Sequence, residues 1–123
     1  MSDQAFPIIS VEDLSGTRAF YEALGFAQTY QFPLEGEPAY VTMSRGTSSI
    51  GIGAGDAADQ DRLGIWVYVD DVDRTFERLR TLGASAVTEP QNQPWGERVA
   101  RIRDPGGNLV YLGRSETECM SLS

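Results

Sequence analysis

Within the run Gln93-Pro94-Trp95-Gly96-Glu97-Arg98, an indole, a carboxylate and a guanidinium fall inside four residues. A tryptophan in a proline-flanked loop ahead of a glycine is placed to stack on a planar ligand rather than to fill a core. Glu97 and Arg98 would supply polar anchoring, and strand alternation lets only one of the two face inward. Glu97 or Tyr111 would carry the proton if the chain were a catalyst. Histidine is missing from all 123 residues. The commonest metal ligand and the commonest acid–base group are thus both absent, which leaves carboxylates, tyrosines or bound solvent for any chemistry.

Ten basic against eighteen acidic residues give a formal charge of -8, which argues against binding a phosphate backbone and favours neutral or cationic partners. A chain of this length folds as one domain and buries an adequate core without disulfides or metals. The opening Met1-Ser2-Asp3-Gln4-Ala5-Phe6-Pro7 has neither the basic region nor the apolar run of a signal peptide, so a cytoplasmic protein without membrane or nucleic-acid partners is expected. Cys119 stands alone in a polar tail and receives no role.

The elements that must position these groups come in two matching halves. Shifting the sequence by 58 positions lays Val11-Glu12-Asp13-Leu14 on Val69-Asp70-Asp71-Val72, Thr17 on Thr75, and Leu24-Gly25 on Leu82-Gly83. Each half reads as strand, helix, then further strands: an α+β fold of two βαβββ modules, over about 5–54 and 64–114. A linker over 55–63 and a polar tail over 115–123 complete the single domain. Phe6–Val11 and Ile65–Val69 open the modules, Asp13 and Asp71 cap the helices, and Gly25 and Gly83 end them. Val72, Phe76, Leu79 and Leu82 form one apolar stripe on the second helix, and Phe20 with Leu24 a weaker one on the first.

Further strands are expected at Phe26–Pro33, Ala39–Arg45, Ser49–Gly53 and Ser85–Glu89, the last followed by a loop through Pro90 and Pro94. Pro105 with Gly106 and Gly107, both at positive φ, would turn the closing hairpin. Two such modules side by side curve into a half-open sheet around a trough. With Ile65, Val67 and Val69 under the second helix, Trp66 and Tyr68 point away from it, as do Leu109, Tyr111 and Gly113 on the last strand. Phe6, Ile8 and Ser10 are the counterparts of Gly64, Trp66 and Tyr68.

Ile9–Asp13 with Ala19-Phe20-Tyr21-Glu22-Ala23-Leu24-Gly25-Phe26, and the turn Asp104-Pro105-Gly106-Gly107-Asn108, resemble the vicinal oxygen chelate superfamily of glyoxalases, extradiol dioxygenases and bleomycin-resistance proteins. Gln93–Arg98 together with Leu63–Val69 resembles its bleomycin-resistance branch. The resemblance implies a glyoxalase-like half-barrel and a homodimer, often with an exchanged N-terminal strand. It also implies two ligand troughs shared between subunits, which sequester a drug without acting on it. In mitomycin-binding relatives a tryptophan at the position of Trp95 lies against a flat ligand. Enzymatic members hold a divalent metal at positions that correspond here to Phe6, Gly53, Gly64 and Tyr111, none of which supplies a histidine or carboxylate.

The leading expectation is therefore a binding protein for a planar or cationic antibiotic or toxin, with no cofactor and no metal. Trp95, Trp66, Tyr68 and Tyr111 stack on the ligand, Arg98 anchors it, Phe6 lies on the trough face, and Phe32 and Tyr40 close the trough from a partner subunit. A metal-independent isomerase or lyase is the alternative, and a trough that serves only as a dimer seam is the third.

Overall fold

The structure, a computed structural model, describes residues 4–55 and 62–115. The fold is mixed α+β, with each half of the chain a βαβββ module. Backbone contacts divide it into two compact units, Phe6–Gly64 and Ile65 onward. The central part of the expected linker, 56–61, and the tail with Cys119 lie outside the described residues.

The first module runs β1 (Ala5–Val11), α1 (Leu14–Ala23), β2 (Ala27–Phe32), β3 (Tyr40–Arg45) and β4 (Ser48–Ala54). Its strands lie in the order β2-β3-β4-β1, with β1 parallel to β4 and the other neighbours antiparallel. Asp13 caps α1 by accepting from the Gly16 amide at 2.9 Å. Gly25 follows the helix at φ 97°, in the left-handed region that glycine tolerates. Alternation on the strands sends Val41, Met43, Ile50 and Ile52 to the helix side, where they bury Leu14 and pack with Ile9, Val11, Tyr21 and Phe26.

The expected stripe on α1 is misplaced. Phe20 is 61% exposed and Leu24 is exposed as well, while Tyr21 and Leu14 face the core. Leu14 and Tyr21 are two turns apart, whereas Phe20 falls one residue, about 100° of arc, off that line. Its ring meets the edge of Tyr21 instead.

The second module runs β5 (Leu63–Tyr68), α2 (Val72–Thr81), β6 (Ser85–Asn92), β7 (Glu97–Arg103) and β8 (Leu109–Ser115), in the order β5-β8-β7-β6. Asp71 caps α2 through the Arg74 amide at 3.0 Å. Val72, Phe76, Ala100, Ile102 and Leu112 form the buried core, with Val69, Leu79, Ala84 and Val110 around it. Leu82 leaves the expected stripe: it is the C-cap, 78% exposed. Ile65 is exposed too, and Val69, just past the end of β5, is what packs against the core beneath the helix.

Two further expectations change. β6 continues through Pro90 to Asn92 because it is the edge strand of its module, where a missing N–H costs no ladder bond, and its register slips on the way. At the hairpin only Gly107 has positive φ, 88°. The Asp104 carbonyl accepts from the Gly107 amide, and its carboxylate accepts from the Gly106 and Asn108 amides at 2.9 Å each. That side chain completes a turn for which one left-handed glycine suffices.

Phe76 is 1% exposed and Leu82 lies almost fully in water. Phe76→Ala should cost about 3–5 kcal/mol of unfolding free energy and Leu82→Ala within about 0.5, read from urea midpoints. The Asp104 carboxyl is held below its ordinary 3.8 chiefly by the Asn108 amide. Asp73 is held below the same value chiefly by hydrogen bonding to Arg98. For a group whose folded value is depressed, the stabilisation is complete above the unfolded value and is lost as pH falls through the folded one. Asp73→Asn and Asp104→Asn should therefore each flatten the loss of stability below about pH 4, measured as midpoint against pH.

Candidate functional site

Strand alternation in the second module sorts the chemistry-bearing residues onto opposite faces. Ala100, Ile102, Val110 and Leu112 face α2, so Glu97, Val99, Arg101, Leu109, Tyr111 and Gly113 lie on the other face. Trp66 and Tyr68 join them from β5. The Trp66 and Tyr111 rings stack at 5.4 Å and 19°, and Tyr68 meets Trp66 edge-on at 5.8 Å.

Trp66 is only 7% exposed. Its indole occupies the space beside Gly113, where an added β-carbon would come within 2.7 Å of Cζ2 and 2.9 Å of Cε2. A side chain at this position would require the indole to shift from its stack on Tyr111. The indole forms a floor beneath the outer rings.

Glu97 ties that floor to the Trp95 loop. Its Oε2 accepts from the Tyr68 hydroxyl at 2.6 Å and its Oε1 from Trp95 Nε1 at 2.5 Å. The Gly96 amide closes a turn on the Gln93 carbonyl at 3.0 Å, with Gly96 at φ 99°, and the Gln93 amide donates to the Glu97 carbonyl at 2.7 Å. Trp95 is 38% exposed, with its indole N–H satisfied and part of its ring in water.

Of the two candidate polar anchors, Glu97 faces the rings and Arg98 does not. Arg98 points to the helix side, where Nε and Nη2 donate to the two oxygens of Asp73 at 2.6 and 2.9 Å and Nη1 donates to Asn92 at 3.0 Å. This fork clamps the start of β7 to the first turn of α2. Phe6, Phe32 and Tyr40 belong to the first module. Phe6 is buried, Phe32 is half-buried at the end of β2, and the Tyr40 ring covers Gly51 while its hydroxyl accepts from Thr42 Oγ1 at 3.1 Å.

Sequence reasoning passed over Arg101 and Thr88. Arg101 stands directly across from Tyr111 on the same face, and its Nε donates to Thr88 Oγ1 at 2.6 Å. The alternation that turned Glu97 inward, continued for four residues along β7, would have found it.

The metal positions of the enzymatic relatives shift when the modules are matched by core register. Val41 pairs with Ile52, and Ala100 with Leu112, so β8 runs two residues out of step with the 58-residue offset that holds for the first strands and helices. Gly53 then corresponds to Gly113, and Tyr111 to Gly51. Neither matching offers a histidine or carboxylate, and Trp66 fills the space at Gly113. These residues do not fit a divalent cation. Among the described residues, no three histidine, cysteine, aspartate or glutamate side chains gather.

Gly113→Ala should force Trp66 off its stack. We expect a loss of about 1–3 kcal/mol in stability and a red-shifted tryptophan emission in the folded protein. Unchanged stability and emission would show that the indole has room to move.

The profile of the Glyoxalase/Bleomycin resistance protein/Dioxygenase superfamily matches residues 4–112. A bleomycin resistance protein of Klebsiella pneumoniae is 27% identical over 127 residues, covering 94% of this chain and 95% of its own. A crystal structure of a glyoxalase/bleomycin resistance protein/dioxygenase superfamily member from Vibrio splendidus superposes with a TM-score of 0.66 at 15% identity, covering 89% and 97% of the two chains. Methylmalonyl-CoA epimerase from Mycobacterium tuberculosis superposes with a TM-score of 0.68 at 19% identity, covering 94% and 89%. At these identities the two structures share the fold, and the epimerase shows that an enzyme uses it as well. Among the described residues no helix is long and apolar enough to cross a membrane. The chain belongs to the Glyoxalase/Bleomycin resistance protein/Dioxygenase superfamily.

Proposed function

We propose that this chain is a cytoplasmic, homodimeric small-molecule binding protein that sequesters a planar or cationic antibiotic or toxin without transforming it. The observation that carries this reading is Trp95: a partly exposed indole fixed by Glu97, with half-buried Tyr68 and Tyr111 on the same side of the module and Trp66 as their floor. Holding a large ring partly in water is unfavourable for the chain alone and suits a surface that awaits a flat partner. Each aromatic contact adds about 0.5–1.5 kcal/mol beyond the area it buries, so micromolar binding, about 8 kcal/mol, needs several rings together.

The similarity over nearly its whole length to a bleomycin resistance protein supports the same reading. So does the excess of acidic residues, which raises the local concentration of cationic molecules. Homodimer formation is carried over from the family resemblance. The reading rests on second-module residues, and Phe6, Phe32 and Tyr40 are not needed for it.

Proflavine, a planar cation, is a suitable probe. Titrated into the protein it should quench tryptophan emission to saturation and be recovered chemically unchanged, with affinity reduced at least about tenfold in Trp95→Ala. Equal affinity in the variant, or conversion of the bound compound, would overturn the proposal. Sedimentation analysis of the same samples should give twice the monomer mass.

A further inference from the structure

We propose that Arg101 forms an anion-recognising subsite beside the aromatic surface, so that the ligand is a flat ring system bearing an acidic oxygen group, a carboxylate or sulfonate. The inference rests on the binding reading above, takes its planar alternative instead of its cationic one, and draws nothing from the acidic excess. β7 carries three arginines, and their surroundings differ. Arg98 is on the helix side with its fork saturated by Asp73 and Asn92. Arg103 Nη1 donates to the Gly107 carbonyl in the hairpin turn. Arg101 is half-buried and directly opposite Tyr111, and only its Nε is engaged, by Thr88 Oγ1 at 2.6 Å. Its two Nη groups form no hydrogen bond or ion pair among the described residues.

Directly opposed residues of an antiparallel pair have β-carbons about 4.5–5.5 Å apart, so a ring seated near Tyr111 has Arg101 within reach of a substituent. The Thr88 bond fixes one edge of the guanidinium plane and leaves the outer edge, with two parallel N–H groups, in the geometry that takes both oxygens of a carboxylate. The carboxylate on this face does not compete for it. Both oxygens of Glu97 are occupied by Tyr68 and Trp95. Half-burial strengthens a charge-assisted bond relative to open water, and holding the long side chain in place beforehand lowers the entropy lost on binding.

Calorimetry with 2-naphthoate and its neutral analogue 2-naphthylmethanol tests this on the full chain. The carboxylate should bind the wild type about tenfold or more tightly than the alcohol, with the advantage shrinking as salt rises. Arg101→Gln should abolish that advantage, bringing the affinity for the carboxylate down to that for the alcohol. Thr88→Val, which removes only the Nε anchor, should reduce it part of the way. An advantage that survives in Arg101→Gln, or equal affinities in the wild type, would overturn the inference. In either case saturable proflavine quenching would leave the binding reading standing, whereas no binding by any of the three probes would overturn both.

Discussion

The close approach of the Trp66 indole to the backbone at Gly113 is the constraint on which the second module's surface depends. Any β-carbon at 113 would collide with the ring, so the floor exists only because that position has no side chain. From this contact order passes outward in defined steps. Tyr111 stacks on Trp66, Tyr68 packs against its edge, the Tyr68 hydroxyl reaches Glu97, and Glu97 holds Trp95. Each step adds a directional contact, so that a ring partly in water is tied by its indole N–H to Glu97. Such preorganisation lowers the ordering cost that a ligand would otherwise have to overcome.

The first module applies the same device differently. Gly51 and Gly53 sit on its face away from α1, and the Tyr40 ring lies over them, its hydroxyl bonded to Thr42. Glycine–aromatic pairs thus occur on both modules, but the aromatic comes from β3 in the first and from β5 in the second. The cores correspond at most positions, Leu14 with Val72 and Tyr21 with Leu79 among them, but Phe76 has Arg18 as its counterpart, and the opposite faces differ further. Burial against a helix constrains size and polarity; the other face is constrained mainly by what it must meet.

Charge follows the same division. Arg98 and Arg101 are three residues apart on one strand and therefore face opposite ways. One is tied to the first turn of α2, where its Asp73 partner also favours the positive end of the helix dipole. The other lies on the face that carries Tyr111 and is bonded to Thr88. Residue type alone makes the two equivalent, and the pleat of the strand separates them.

Much of the fold was legible because it is written in local chemistry. Asp13 and Asp71 as caps, Gly25 and Gly83 as helix terminators and alternating strands are short-range signals with one stable outcome each. The 58-residue echo held where it rested on caps and helices, and drifted in the strands that follow, since a loop accepts inserted residues that a helix does not. Phe20, Leu82 and Ile65 were misassigned for one reason: hydrophobicity shows which residues can be buried, and only the extent of the neighbouring element decides which of them are covered.

The chain's own order of residues determined the α+β modules, the side of the strand on which Trp66, Tyr68 and Tyr111 lie, and the lack of any histidine. These follow from period, capping and composition, which act over a few residues. Tertiary structure alone decided that Trp66 is a floor, that Glu97 joins Tyr68 to Trp95, and that Arg98 is tied to α2. Each depends on a contact far along the chain, Arg98 with Asp73, Glu97 with Tyr68 and Trp66 with Gly113. Only pairing of the strands brings such partners within hydrogen-bonding or van der Waals range.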